Sequence, residues 1–343
     1  MVNSLDPAVP AASPEEAIAK QGINALLYDH QEADGTFAGV AGSGPFRIAA
    51  WEPGKHVTLA ANDDFRDGRP FVDGVEIQMS RAAPDRLLDV EVGKADLAEI
   101  PAEEARDAAD RGVHVSMSEP EELIALVFVA GRPAGDDARL REALARSVDR
   151  AAIVNFILQK TGEPAGGLLP QWLSGTAFLF STAVDAPGAK ELVSQIGGSP
   201  RIVLGYDSGD SLEQSIAERI AVNARDAGIA LTAVAAGRGS ASADLDARLV
   251  RLPMHSTHPG EALASFVATL APIGGIDATP LPAGATADQI YGRERSIVAT
   301  FRVTPLVRFP RVFGLSARVR NWKAPLPGER LPLADVWLEG DAQ

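Results

Sequence analysis

The chain has no cysteine among its 343 residues, which excludes disulfides, thiolate metal sites and cysteine-based catalysis. Basic residues are also scarce: 32 Lys and Arg against 46 Asp and Glu give a net charge of −14. Without a run of Lys or Arg, this acidity argues against nucleic acid as a partner and is typical of a solvated acidic surface. Apolar runs are short as well, and none approaches the roughly 18 residues that a membrane helix requires.

The first 20 residues also lack a familiar targeting pattern. They are rich in Pro, Ala and Ser and contain neither a basic segment nor an apolar segment. We therefore expect no signal peptide within them. Either the protein stays in the cytoplasm or its export signal is absent from this sequence.

Hydrophobic periodicity predicts an α/β fold class. Alternating or continuous apolar runs predict strands at Phe46–Trp51, His56–Leu59, Val72–Met79, Leu123–Val129, Arg201–Tyr206, Ala247–Leu252 and Pro305–Phe309. Helical spacing predicts helices from Asp136 or Asp137 to about Leu158, and from Ser211 to Ala227. Because helices and strands alternate, the class is α/β. Loops near 130–136 and 252–260 predict a lobe at 130–259, inserted between 1–129 and 260–343 of a first lobe.

One block suggests an enzyme. Residues 209–212 read Gly-Asp-Ser-Leu after a predicted strand, like the nucleophile motif of one lipase and esterase family. That family supplies its base from an Asp-x-x-His block, which this sequence lacks, and the last histidine is His258. Capping of the helix by Asp210 or Ser211 is the favoured interpretation. A serine hydrolase that uses Ser211 stays open as an alternative.

Three other features are candidates for a site. His255 and His258 could share a metal, but an H-E-x-x-H arrangement is missing and Pro259 follows, so loop or cleft-lining histidines are favoured. Trp172 either packs over its loop or lines a cleft and stacks on a ligand. The acidic residues of 99–110 are interpreted as a solvated helix face.

Several motifs follow one another along the chain: GSGPF at 42–46, WEPG at 51–54, NDDF at 62–65, GRPFVD at 68–73, GKAD at 93–96, RLREALARSVDRAAI at 139–153 and VRNW at 319–322. In this order they resemble the motifs of the family 5 extracellular solute-binding proteins, the peptide- and nickel-binding components of ABC importers. The resemblance runs from about residue 42 to the end.

The resemblance implies a two-lobed type II periplasmic binding protein fold, with mixed sheets and a hinge between the lobes. It implies a binding protein rather than an enzyme, one that captures a small peptide-like or related solute between its lobes without a cofactor or metal. It further implies delivery to a membrane permease, a periplasmic or extracellular location, and a monomer. The expected ligand-binding residues are Trp172, Tyr206, His255, Ser256 and His258.

Two departures from the family pattern qualify this expectation. In the peptide binders, an aspartate in the segment that corresponds to residues 254–260 pairs with the ligand's α-amino group, and no acid stands at 255–258 here. An ammonium group would lose a hydrogen bond worth about 1.5–3 kcal/mol. The N-terminal region also looks shortened, so a non-transport relative without ligand affinity is a third hypothesis.

Overall fold

The computed structural model describes residues 27–31, 37–237 and 244–339. These residues form two compact units. The first comprises the described residues up to Pro101, Asp107–Ser118, and those from Val312 onward; the second comprises Ala102–Arg106 and Glu119–Arg311. The predicted lobe boundaries at 130 and 259 stay a prediction.

Fourteen strands are defined within the described residues. They are β1 (Leu27–Gln31), β2 (Phe37–Gly42), β3 (Phe46–Glu52), β4 (His56–Ala61), β5 (Gly74–Gln78), β6 (Leu97–Ile100), β7 (His114–Phe128), β8 (Glu163–Pro164), β9 (Arg201–Asp207), β10 (Ala230–Ala236), β11 (Ala247–Pro253), β12 (Val303–Leu315), β13 (Val319–Arg320) and β14 (Trp337–Leu338).

The α-helices are interspersed among these strands. They are α1 (Ala83–Glu91), α2 (Ala105–Asp110), α3 (Pro133–Asp136), α4 (Ala138–Ser147), α5 (Arg150–Ala152), α6 (Gln171–Ser174), α7 (Ala186–Ile196), α8 (Ser211–Asp226), α9 (Pro259–Gly274) and α10 (Ala287–Val298). Short 3₁₀ turns cover Ala102–Glu104 and Ala177–Leu179, and a π turn covers Ile153–Ile157.

The first unit contains the strands predicted at Phe46–Trp51 and His56–Leu59, which form a hairpin. Strands β3 and β4 pair antiparallel, with Phe46 opposite Ala61, and β5 adds to β4. Gly54 closes the turn with φ +74°, a conformation that glycine adopts without steric cost. Phe46, Val57 and Leu59 form the buried core of this sheet, so the hairpin serves as scaffold.

The second unit is built on a mixed sheet with the strand order β10-β9-β11-β7-β12. Strand β9 runs parallel to β10 and β11, whereas β7 runs antiparallel to β11. The apolar run of β7 is buried from Leu123 to Phe128, as predicted for a strand covered on both faces. One face of this strand packs with α9 in the largest described core, through Leu263, Phe266 and Leu270. The predicted α/β class is confirmed.

The helix predicted to run to about Leu158 is interrupted after Ser147 and resumes at Arg150, where α5 and the π turn continue to Ile157. Val148 takes an extended conformation, and the Asp149 carboxylate then accepts a hydrogen bond from the Ala152 amide at 2.9 Å, which caps a new helix. The apolar spacing hid this break because Val148 is fully buried although it is not helical. Asp137 caps α4 by accepting from the Arg139 amide.

Candidate functional site

The candidate site lies in the second unit, at the edge of the sheet where the parallel strands β9 and β11 end. Strand β7 runs in the opposite direction, so Glu122 stands opposite Pro253 at the same edge. We call this region the carboxyl edge: Pro120–Glu122, Tyr206, Asp207, Arg251–His255 and Phe309–Arg311. Ligands of α/β proteins bind preferentially outside the carboxyl ends of such strands.

Arg251 is the central cation of the carboxyl edge. Its Nε donates to Glu122 Oε2 at 2.6 Å, and its Nη1 donates to Asp210 Oδ2 at 2.8 Å. Its guanidinium also lies 4.9 Å from the centre of the Phe309 ring. Burial alone would lower the pKa of Arg251, but the two carboxylates outweigh burial and raise it. Arg251 therefore joins three strands and the start of α8.

Asp210 explains the Gly-Asp-Ser-Leu block. Its carboxylate caps α8 by accepting from the Glu213 amide at 3.0 Å, which confirms the capping interpretation. Ser211 is exposed at the first position of the helix. Among the described residues, no hydrogen bond joins the Ser211 hydroxyl to a histidine.

Buried acids surround this cap. The Glu213 carboxylate accepts from the Asp207 amide at 2.9 Å, and burial raises its pKa, with the charges of Asp210 and Asp207 adding to the effect. Glu103 behaves similarly, since burial raises its pKa while Arg251 opposes the rise. The interpretation of 99–110 as a solvated face is therefore wrong for Glu103, because its short 3₁₀ turn places it beside the Arg251 cluster.

His255, one of the expected ligand-binding residues, interacts electrostatically with charged residues of the carboxyl edge. The preceding amide, that of Met254, donates to the Glu121 carbonyl at 3.2 Å and holds the loop against β7. Partial desolvation lowers the pKa of His255, and Arg311 lowers it further, while Glu122 acts in the opposite direction. The ring is thus biased toward its neutral form, in which one nitrogen donates and the other accepts.

Ser256 and His258 serve the start of α9. Ser256 Oγ donates to Glu261 Oε2 at 2.7 Å and accepts from the His258 amide at 3.0 Å. His258 occupies the N-cap position before Pro259, and its exposed ring lies 3.9 Å from Glu261. Both residues are adjacent to the carboxyl edge along the chain, but their recorded contacts are with the helix.

Trp172 and Tyr206 occupy two other positions in the second unit. The indole Nε1 of Trp172 donates to the Pro120 carbonyl at 3.0 Å, one residue before Glu121, and 36% of the residue stays exposed. Tyr206 is half-buried on β9, next to Ala235 of β10. The structure thus brings Trp172 and His255 to the same stretch of β7.

Sequence analysis missed Glu122, Arg251 and Asp210 as members of one cluster. Arg251 stands opposite Ile124, two residues from Glu122, so the two side chains are diagonal neighbours on one face of the sheet. A charged residue inside the apolar run of β11 was the available signal, but the strand register is not written in either segment alone. Within the described ranges, three or more His, Asp or Glu side chains do not converge in a way that could hold a metal ion.

Comparison with known proteins identifies the family. The sequence profile of the bacterial extracellular solute-binding proteins, family 5 (middle region), matches residues 7–251, well over half of the chain. The chain belongs to this family. Its α/β fold is that of type II periplasmic binding proteins, as predicted.

Individual relatives cover only part of their own length. The oligopeptide-binding protein AppA of Bacillus subtilis is 26% identical over 175 residues, which are 46% of this chain and 30% of AppA. The probable D,D-dipeptide-binding periplasmic protein DdpA of Escherichia coli is 27% identical over 156 residues, 44% of this chain and 30% of DdpA. The chain thus matches about a third of the length of these curated family 5 relatives.

Solved structures extend the likeness in fold. NikA of Staphylococcus aureus, in complex with Ni(L-His)2, superposes with a TM-score of 0.71 at 17% identity and covers 95% of this chain and 74% of NikA. AppA of B. subtilis, in complex with a nonapeptide, gives a TM-score of 0.65 at 16% identity over 87% of this chain and 66% of AppA. At these identities the likeness establishes the family 5 fold and leaves the solute open.

Proposed function

We propose that this family 5 chain is the solute-binding component of an ABC importer, that it captures a small peptide-like or related solute at the carboxyl edge, and that it passes the solute to a membrane permease. The observation that carries the proposal is the convergence of His255, Trp172 and the Glu122–Arg251 pair on residues Pro120–Glu122 of β7, in the second unit. The arrangement offers an aromatic surface, a neutral imidazole and fixed charges, which suit a ligand with apolar and polar parts.

The charges narrow the kind of solute. Glu122 already accepts from Arg251 at 2.6 Å, so an ammonium group would have to compete with a guanidinium for that carboxylate. The pair is held by a second acid, Asp210, and by the Phe309 ring. We therefore favour a solute whose polar groups are neutral or hydrogen-bond to His255 over a free peptide whose α-amino group needs its own acid.

The proposed surroundings follow from the family. We propose a periplasmic or extracellular location, a monomer between transport cycles, and no chemical change to the solute. Across the described residues, every helix is too short or too polar to span a lipid bilayer.

A thermal-shift panel tests the proposal. Peptides, sugars and nickel chelates are added singly, and a true solute at 100 times its Kd should stabilise the protein by about 2.7 kcal/mol. Trp172→Ala should abolish the shift. Phe156→Ala, at an 80% exposed aromatic of the same unit, is the matched control and should keep it.

Two outcomes would contradict the proposal. A panel without any shift would favour the shortened relative that has lost ligand affinity. Covalent labelling of Ser211 by a fluorophosphonate probe would favour the serine hydrolase, although the capping role of Asp210 and the exposure of Ser211 give that alternative little support.

A further inference from the structure

Two buried charged residues away from the carboxyl edge hold one short loop of the second unit. Glu294, on α10, is fully buried, and Arg308, on β12, is 3% exposed. The loop comprises residues 165–170, between β8 and α6, and α6 carries Trp172. Burying two ionisable groups is costly unless their hydrogen bonds are well made, so the contacts that they make are informative.

The two side chains hydrogen-bond to the same stretch of backbone: Glu294 accepts from its amides, and Arg308 donates to its carbonyls. Glu294 Oε1 accepts from the amides of Leu168 at 2.5 Å and Leu169 at 2.9 Å. Arg308 Nη2 donates to the carbonyls of Gly167 at 3.1 Å and Leu168 at 2.9 Å. Both amide and carbonyl of Leu168 are therefore fixed by charged side chains from two separate elements.

The glycines of the loop make room for this contact. A Cβ at Gly167 would lie 2.6 Å from Glu294 Oε1 and 2.7 Å from the Phe180 ring. A Cβ at Gly166 would lie 2.6 Å from the Phe180 carbonyl oxygen. A side chain at Gly167 would thus compete with the carboxylate for the same space, which ties Gly167 to Glu294.

The loop and the segment after it are uncharged but partly exposed. Residues 165–184 contain no Asp, Glu, Lys or Arg in a chain of net charge −14. Within it, Pro170 accepts from the Ser174 amide at 2.9 Å as α6 begins, and Trp172 donates to Pro120 at the carboxyl edge. The segment has no charges of its own, and the charged side chains that hydrogen-bond to its backbone come from α10 and β12.

We propose that Glu294 and Arg308 are positioning residues that hold Gly167–Leu169 so that Trp172 is presented, already ordered, at the carboxyl edge. This inference rests on the proposed function for its purpose, because an aromatic wall fixed before the solute arrives avoids the entropic cost of ordering it during binding. The positioning itself is a property of the free protein and is measurable without a solute.

Hydrogen exchange and fluorescence quenching test the positioning. In Glu294→Leu, the amides of Leu168 and Leu169 lose their acceptor, and we expect their exchange to speed up at least tenfold. Glu294→Gln retains an acceptor oxygen and should keep most of the protection, whereas Arg295→Leu, at the exposed neighbour on α10, should change nothing. Arg308→Met removes the nitrogen that donates to the Gly167 and Leu168 carbonyls and gives a second test if Glu294→Leu does not fold.

Quenching of Trp172 fluorescence distinguishes positioning of Trp172 from a general contribution of Glu294 and Arg308 to stability. With the other three tryptophans replaced by phenylalanine, acrylamide quenching of Trp172 should rise in Glu294→Leu and Arg308→Met and stay unchanged in Glu294→Gln and Arg295→Leu. Unchanged quenching in both disruptive variants, while they remain folded, would overturn the positioning role.

Binding separates this inference from the proposed function. A nonapeptide and a nickel(II)–histidine complex are titrated by calorimetry, and a probe that binds the wild type should bind about tenfold more weakly to Arg308→Met. Equal affinity of the wild type and the Arg308 variant for that probe would contradict the proposal that the positioning of Trp172 serves solute binding. If neither probe binds the wild type, capture of these two solutes is refuted, while exchange and quenching still decide whether Glu294 and Arg308 position Trp172.

Discussion

Replacing Arg251 by methionine tests the carboxyl edge most severely. The change leaves Glu122 and Asp210, whose side chains are 14% and 7% exposed, without their shared cation, while the methionine keeps part of the packing on Phe309. Each lost hydrogen bond to a charged group is worth about 1.5–3 kcal/mol, and breaking a buried ion pair costs about 3–5 kcal/mol. Because 32% of the Arg251 side chain is exposed, water partly replaces it, and we expect a loss near the lower limit, about 3 kcal/mol.

Urea unfolding measures this loss. Arg66→Met is the matched control, since Arg66 is 86% exposed and pairs with the exposed Asp67, so its removal should leave the unfolding midpoint unchanged. Adding Glu122→Gln to Arg251→Met should recover part of the stability, because it removes one uncompensated charge. If Arg251→Met unfolds at the same urea concentration as Arg66→Met, the account of Arg251 as the central cation is refuted.

Three further predictions concern the same unit. Gly167→Ala should destabilise the protein by about 1–3 kcal/mol in urea unfolding, because its Cβ would lie 2.6 Å from Glu294 Oε1. Gly292→Ala has open space within its helix and should stabilise the protein by about 0.5–1 kcal/mol. Equal effects of the two variants would contradict the close packing at Gly167. His255 should titrate by NMR with a pKa below its ordinary value of 6.5. Its contribution to stability is therefore present above pH 6.5 and is lost as the pH falls through the lowered pKa. Glu122→Gln should lower the pKa of His255 further, and a higher pKa in this variant would contradict the electrostatic assignment. Because burial raises the pKa of Glu213, the folded state binds more protons than the unfolded state above pH 4.5, and stability should fall as the pH rises from that value. Glu213→Gln should reduce the dependence of stability on pH in this range. An unchanged pH dependence would count against a desolvated Glu213.

Local sequence signals predicted much of the scaffold. The hairpin at Phe46–Ala61 carries its own alternation and a Pro-Gly turn, and α8 carries an acidic cap, an apolar stripe and a terminal glycine at Gly228. The helix break at Val148 escaped prediction because a buried residue in an extended conformation keeps the same apolar spacing as a helical one. No element was predicted for α7, β10 or α9.

The site was less accessible to prediction because its contacts join distant parts of the chain. Glu122 and Arg251 are 129 residues apart, and only the antiparallel register of β7 and β11 makes them neighbours. Glu294 contacts an amide 126 residues away, across two elements whose packing no local pattern encodes. His255 and Trp172 were predicted from residue type and family resemblance, and their role in binding stays a prediction.

The central claim is that this family 5 chain holds a solute at the carboxyl edge of its second unit. Hydrogen exchange measured with and without the compound that gives the largest thermal shift tests it most directly. The account predicts new protection in peptides that contain Pro120–Glu122, Trp172 and Met254–Ser256. Protection confined to the strands β3 to β5 of the first unit, with these segments unchanged, would contradict it.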